Sequence, residues 1–169
     1  MGADAVASVL TAGSRPGEPA AAAAYALFAV VSVVLAVIDV RHHRLPDVVV
    51  LPATASGVVL LSLAAAATGR PQRAAEVALG AAGAFAACLL LHLARPGAFG
   101  GGDVKLAGLV GAHLGWWGLE VVASGIGVGF LAAGVAAVGV LAARGRGVDL
   151  PLGPFLLGGA WAQILARAG

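Results

Sequence analysis

The chain has 169 residues, of which 60% are hydrophobic and 11% are charged, and its formal net charge is +2 at pH 7. Soluble domains contain about 25% charged residues, so the composition excludes an ordinary soluble domain and indicates an integral membrane protein. The ten basic residues lie singly or in pairs at the ends of apolar runs, which excludes the basic patch that binds a nucleic acid.

Six apolar segments follow a polar tail that covers residues 1–19. A helix needs about 20 apolar residues to cross a bilayer, and these runs lack the alternation of barrel strands. We therefore predict an all-α, polytopic transmembrane bundle of about six spans, formed by residues 20–169. The predicted segments cover residues 20–38, 48–68, 75–94, 104–118, 119–143 and 151–168.

The fourth segment is short, since about 15 residues extend only about 22 Å as a helix. Several interpretations stay open for it: a tilted helix, a helix shielded by its neighbours, or a re-entrant segment. The 26 glycines of the chain favour one compact bundle, because glycine lets neighbouring helix backbones approach closely in a membrane.

Two acidic residues stand at the edges of apolar segments, where an ionisable group is unfavourable and indicates a function. Asp39 ends the first segment, and Asp103 begins the fourth directly after Gly100, Gly101 and Gly102. Two predicted spans separate these acids, so both emerge on the same face of the membrane. If the fourth segment also crosses, the polar turn at residues 144–150 lies on that face as well. Six of the ten Lys and Arg residues fall on this side, which favours the cytoplasmic face. These six are Arg41, Arg44, Arg95, Lys105, Arg144 and Arg146.

Two carboxyl groups that are close together in a site of low dielectric constant cannot both ionise, so they share a proton. The ionised member can activate a water molecule, and the protonated member can polarise the peptide carbonyl that the water attacks. Asp39 and Asp103 are therefore predicted to form the catalytic pair of a hydrolase, with no metal and no cofactor. Which of them is the acid and which the base stays open. The glycines before Asp103 are expected to break the helix and to leave room for a substrate strand and for water.

The charged residues of these stretches also have simpler interpretations. Asp39 is compatible with a water-facing position at a helix end, and Asp103 with a cap of the fourth helix. Asp47, which follows Pro46, is interpreted as the N-cap of the second helix. Lys105 is interpreted as an anchor at the membrane interface, or as a residue that sets the electrostatic field at the acid pair or positions a backbone group.

The remaining candidate ligands do not indicate a metal site. His42 and His43 belong to a short basic turn, whereas His92 and His113 lie near segment ends without the spacing of metal ligands. Cys88 is the sole cysteine of the sequence and lies in an apolar run, which excludes an internal disulfide and a cysteine-built zinc site. We therefore predict that no metal is bound.

Three motifs of the chain are similar to those of a known family. They are "DVRHHRLPD" at residues 39–47, "GGGDVKL" at residues 100–106 and "LPLGPFLLG" at residues 150–158. In order and separation they resemble the signatures of type IV prepilin peptidases, which are bacterial relatives of the presenilin-like GxGD intramembrane aspartyl proteases. The resemblance extends from about residue 20 to residue 168.

The resemblance implies a role for residues of each motif. Asp39 and Asp103 match the two catalytic acids of the family, and Gly101 and Asp103 fall on the glycine and the acid of its GxGD motif. Other residues of the motifs are expected to bind the substrate or to support the site. They are Gly101, Gly102, Lys105, Pro151, Gly153 and Pro154.

The resemblance also implies a substrate and a location. Enzymes of this kind cleave the basic leader from prepilins and pseudopilins at the cytoplasmic face, just ahead of a hydrophobic helix. We therefore expect prepilin-like partners and a multi-pass protein of the inner or plasma membrane, with its active site facing the cytoplasm. Many members carry an N-terminal domain with paired CxxC motifs that is associated with N-methylation. Because that domain is missing from the sequence, we expect peptidase activity without methyl transfer, as in the short members that serve Flp or Tad pili.

Two other functions stay open. Asp39 and Asp103 also suit a small non-enzymatic subunit of a transporter or assembly, in which they relay protons or bind a cation. The other alternative is an inactive homologue, or one similar to signal peptide peptidases that acts on another substrate. Cleavage of a prepilin that depends on both acids would distinguish the peptidase from these alternatives.

Overall fold

The described part of the chain is built from helices. The computed structural model describes residues 18–94, 100–145 and 150–168, and no β-strand occurs within these ranges. The prediction of an all-helical bundle is thereby confirmed, while the predicted N-terminal tail lies outside the described residues except for Glu18 and Pro19. The helices are α1 (Glu18–His42), α2 (Asp47–Ala67), α3 (Pro71–Ala94), α4 (Gly101–Gly115), α5 (Leu119–Arg144) and α6 (Gly153–Ala168).

Four of these helices are long and apolar enough to cross a membrane. Within the described residues, α1, α2, α3 and α5 contain candidate spans of 21 to 25 residues. Their outer faces expose large apolar side chains, including Val33, Leu90, Leu131 and Val135. Such a surface is unfavourable in water, whereas the hydrocarbon core of a bilayer accommodates it. The structure is therefore that of a membrane protein.

Helix α4 lies in the interior of the bundle. Its 15 residues extend about 22 Å, which is less than the roughly 30 Å of hydrocarbon in a bilayer. Eleven of these residues are buried, because each of the other described helices packs against α4. Of the interpretations of the fourth segment, the helix shielded by its neighbours agrees with this burial. The helix begins at Gly101, three residues before the approximate start predicted at residue 104.

Close backbone contacts hold α3 against α4. A Cβ atom on Gly80 of α3 would come within 3.1 Å of the Gly115 Cα atom and within 3.1 Å of the Val122 Cγ2 atom. A Cβ atom on Gly115 would come within 2.9 Å of the Val77 Cα atom. Carbon atoms normally stay about 3.5–4.0 Å apart, so side chains at these positions would push the helices apart. Small residues allow helices to associate where lipid removes the hydrophobic driving force between them.

Polar side chains tie α1 to the core. The Tyr25 hydroxyl donates a hydrogen bond of 2.9 Å to the His113 carbonyl oxygen, and Trp161 Nε1 donates one of 3.2 Å to the Ser32 hydroxyl oxygen. The His113 ring is buried and stacks on Phe28 with 4.2 Å between the ring centroids. His113 therefore belongs to the aromatic core of the bundle. In the three described ranges, no group of three or more His, Cys, Asp or Glu side chains is arranged to hold a metal ion.

Gly80→Ala is expected to lower the free energy of unfolding by about 1–3 kcal/mol, because the added methyl group overpacks the contact between α3 and α4. Gly83→Ala in the same helix is the matched control, since a Cβ atom there meets nothing within 4 Å. The control should leave the stability unchanged or raise it slightly, through the higher helix propensity of alanine. Thermal unfolding in detergent micelles measures both effects. Equal losses in the two variants would contradict a tight interface at Gly80.

Candidate active site

Asp39 lies within the last turn of α1. The sequence placed it at the end of the first segment, but the helix continues to His42. His43 then adopts a left-handed backbone conformation with a φ of 50° and donates its N–H to the Asp39 carbonyl oxygen at 2.8 Å. This turn ends the helix just after the acid. Asp39 is 5% exposed, so its carboxylate is largely withdrawn from solvent.

The Asp39 carboxylate contacts the beginning of α6. The Gly153 N–H donates a hydrogen bond of 2.9 Å to Asp39 Oδ2, although the two residues are 114 positions apart. Gly153 is the first residue of α6, where backbone N–H groups have no partner within the helix. A Cβ atom on Gly153 would lie 2.7 Å from the same carboxylate oxygen. The contact therefore requires glycine at this position.

Asp103 lies in the first turn of α4. Gly100 precedes the helix with an extended backbone, with φ −72° and ψ 140°, and occupies the capping position. The Asp103 N–H donates to the Gly100 carbonyl oxygen at 3.1 Å. Asp103 therefore follows the cap and is not itself the cap. Gly101 and Gly102 are the first two residues of the helix, so two of the three glycines that were expected to break the helix are helical.

Asp39 and Asp103 line the same cavity, which has a volume of about 670 Å³ and lies at one end of the bundle. The other lining residues are Ile38, His42, His43, Arg44, Leu45, Pro46, Asp47, Gly100, Gly101 and Gly102.

Asp103 is outside the four candidate spans, and burial together with the negative charge of Asp39 raises its pKa to about 6. A hydrogen bond with the Gly100 backbone acts in the opposite direction. The two carboxyl groups thus lie close enough for the charge of Asp39 to affect the proton affinity of Asp103.

Lys105 forms an ion pair with Asp47. The Lys105 Nζ atom lies 2.6 Å from each carboxylate oxygen of Asp47. Asp47 begins α2 as predicted, but Pro46 occupies the capping position. Because both charged side chains are partly exposed, the pair contributes little to stability. The pair connects the start of α2 to the turn of α4 that carries Asp103.

The other residues predicted from the motifs lie at different distances from the cavity. Gly101 and Gly102 line it. Gly153 reaches it through its hydrogen bond to the Asp39 carboxylate. Pro151 and Pro154 flank Gly153 and are half-buried, but they do not line the cavity. Gly153 is therefore the residue of the third motif that contacts one of the two acids, Asp39.

Sequence reasoning missed the contribution of the turn between α1 and α2. Leu45 is buried and lines the cavity, and a Cβ atom on Gly102 would lie 3.0 Å from the Leu45 Cβ atom. His42 and His43, which were interpreted as part of a short basic turn, are exposed and line the cavity as well. The available signal was the position of Leu45 within the first motif, next to the basic turn.

Comparison with known proteins agrees with the resemblance drawn from the three motifs. A family model for the type IV leader peptidase family matches residues 26–145, which is more than two thirds of the chain. The matched range includes Asp39 and Asp103 and ends before Gly153. Searches of curated proteins and of solved structures gave no significant match.

Asp39→Asn is expected to lower the pKa of Asp103 from about 6, because it removes a negative charge that helps to raise this pKa. The value should remain above that of an exposed aspartate, since burial is the larger cause and is unchanged. NMR titration of carbon-13-labelled aspartate carboxyl groups in micelles measures the shift. Glu120→Gln, in the first turn of α5 beyond the other end of α4, is the control and should change nothing. An unaltered Asp103 titration in Asp39→Asn would show that the two carboxyl groups do not interact.

Proposed function

The chain belongs to the type IV leader peptidase family, and from this premise we propose that it is an intramembrane aspartyl endopeptidase. Its proposed substrates are type IV prepilins or prepilin-like proteins, from which it removes the leader peptide. The observation that carries the proposal is that Asp39 and Asp103 line one cavity. Family membership supports peptidase chemistry, and the position of the two acids supports a particular mechanism for it.

The two carboxyl groups can supply the acid and the base that peptide hydrolysis needs. The ionised member takes a proton from a water molecule while the water oxygen attacks the carbonyl carbon. The protonated member donates a hydrogen bond to the carbonyl oxygen and stabilises the charge that develops there. The pKa of about 6 for Asp103 supports these two roles, because the pair then still holds a proton near pH 6.

The shape of the cavity suits an extended peptide. Its volume of about 670 Å³ accommodates a short segment of main chain with small side chains. Gly101 and Gly102 add no side chains to its wall, so a substrate backbone can approach Asp103 closely. Ile38 and Leu45 provide apolar contacts on the side of α1 and its following turn.

The basic residues near the cavity support an active site on the cytoplasmic face of the inner or plasma membrane. Arg41 lies in the last turn of α1, Arg44 lines the cavity, and Lys105 is paired beside it. An excess of Lys and Arg marks the cytoplasmic ends of membrane helices. Because Cys88 is the sole cysteine of these 169 residues, the proposal covers peptide cleavage and does not include methyl transfer.

Asp39→Asn and Asp103→Asn are each expected to reduce leader cleavage by a factor of roughly 10²–10⁴, since each removes one partner of the acid–base pair. Co-expression with a tagged prepilin measures cleavage as a mobility shift of the size of the leader. Glu120→Gln is the matched control, because it neutralises an acid in the first turn of α5, beyond the other end of α4. It should cleave as the wild type does.

Full cleavage by either aspartate variant would contradict the assignment of the pair. The alternative of a non-enzymatic relay subunit predicts a different pattern. In that case, proteoliposomes would conduct protons or cations in a manner that depends on Asp39 and Asp103, and no prepilin would be cleaved.

A further inference from the structure

The first turn of α6 faces the Asp39 carboxylate. The Gly153 N–H donates to Asp39 Oδ2 at 2.9 Å, and the Leu152 carbonyl oxygen accepts the N–H groups of Phe155 and Leu156 at 3.1 Å each. Gly153 thus belongs to a formed helical turn. Because aligned peptide dipoles give a helix a partial positive charge at its N-terminus, this end of the 16-residue helix α6 favours negative charge on Asp39.

Burial makes this contact important for Asp39. With 5% of its surface exposed, the residue has little access to water, and a buried carboxylate needs hydrogen-bond donors from the protein. A backbone N–H stabilises an ionised carboxylate more strongly than a neutral carboxyl group. Among the described residues, the Gly153 N–H is the donor that reaches the Asp39 side chain.

Asp103 has a different balance of interactions. Its position in the first turn of α4 and its hydrogen bond with the Gly100 backbone both favour the charged form. Burial and the negative charge of Asp39 outweigh these effects and raise the pKa of Asp103 to about 6. The charge on Asp39 therefore favours a proton on Asp103.

From these two environments we infer that Gly153 is a positioning residue that keeps Asp39 ionised, so that Asp39 acts as the base and Asp103 as the acid. The catalytic meaning of this inference rests on the proposed function. The location of the proton, however, is a property of the folded protein and can be measured without a substrate. Gly153 lies outside the residues matched by the family model, 26–145, so the inference depends on the contact itself.

The assignment defines the path of each proton. Asp39 accepts a proton from water as the new C–O bond forms, while Asp103 gives its proton to the carbonyl oxygen. When the C–N bond breaks, the proton on Asp39 passes to the leaving nitrogen. A hydroxyl of the tetrahedral intermediate returns a proton to Asp103 as the new carbonyl forms. The pair ends in its starting state, and water is the co-reactant that is consumed.

Other titratable side chains lie near Asp39 and Asp103, and they include both acidic and basic groups. The acidic group on the cavity wall, Asp47, forms an ion pair with Lys105 at 2.6 Å. Within the described residues, none of them donates a hydrogen bond to the Asp39 carboxylate. They are His42, His43, Arg44 and Asp47 on the cavity wall, Lys105 paired with Asp47, and Cys88 of α3 within electrostatic reach of Asp103.

Carbon-13 labelling of the aspartate carboxyl groups tests where the proton lies. The signals can be assigned with single Asp→Asn variants, since the aspartates of the chain are Asp4, Asp39, Asp47, Asp103 and Asp149. Near pH 6, the Asp103 signal should be intermediate between the protonated and ionised forms, and the Asp39 signal should be that of an ionised carboxylate. A proton on Asp39 together with an ionised Asp103 would overturn the inference, whether or not the protein cleaves a prepilin.

Gly153→Ala tests the contribution of the contact. The added methyl group would lie 2.7 Å from Asp39 Oδ2, so the amide and the carboxylate must separate. The proton is then expected to move toward Asp39, and Asp103 to become more ionised at the same pH. Gly158→Ala in α6 is the matched control, since a Cβ atom there meets nothing within 4 Å. Unchanged carboxyl signals of Asp39 and Asp103 in Gly153→Ala would overturn the inference. If this variant does not fold, the titration of the wild-type protein still shows which of the two aspartates carries the proton.

Cleavage kinetics separate a positioning role from a structural one. Gly153→Ala is expected to move the acid limb of the pH profile to higher pH and to lower kcat/KM about tenfold on that limb, because the base is less often ionised there. A lower rate with an unchanged pH profile would contradict the positioning role. If the wild type cleaves no prepilin while both NMR results hold, the proposed function fails and the assignment of the proton stands.

Discussion

The withdrawal of two carboxyl groups from water at the edge of an apolar bundle is the constraint on which the site depends. The protein must replace the solvation that water would supply, and it does so with backbone from Gly153 for Asp39 and from Gly100 for Asp103. Such contacts require the backbone to come very close to the carboxyl group. A Cβ atom would lie 2.7 Å from the Asp39 Oδ2 atom at the first position and 2.9 Å from the Asp103 Oδ2 atom at the second. Glycines of two separate motifs thus serve the same physical purpose.

The enclosure of α4 makes this arrangement possible in a membrane. A helix of 15 residues is too short to cross the hydrocarbon easily, but its neighbours surround it, so most of its residues face protein and not lipid. Gly80 and Gly115 allow α3 to approach α4 closely. The ion pair between Asp47 and Lys105 connects the start of α2 to α4 beside the cavity. Contacts between helices therefore help to determine where the two carboxyl groups lie.

Hydropathy was sufficient to predict the helices, because long apolar runs have few alternatives in a bilayer. The number of spans between Asp39 and Asp103 was also sufficient to predict that both lie at the same end of the bundle. The rotation of each helix could not be predicted, since apolar residues occur on every side of these helices and give no preferred face. For that reason the sequence did not reveal that Lys105 faces Asp47, or that Gly153 is the residue of its motif that reaches an acid.

The positions of the two acids within their helices explain why one of them needs a partner from another helix. Asp39 lies near the C-terminal end of α1, where the dipole of its own helix opposes a negative charge, whereas Asp103 lies near the N-terminal end of α4, where the dipole favours one. In the assignment that we infer, the negative charge on Asp39 depends on the N-terminus of α6. Docking of α6 against α1 and ionisation of Asp39 then favour each other. The start of α6 supplies an N–H donor to the carboxylate, and the carboxylate supplies an acceptor to that N–H group. The helix at the end of the described chain thus contributes to the candidate site that α1 begins, and if Asp39 is the base, as we infer, it becomes available only when α6 has docked.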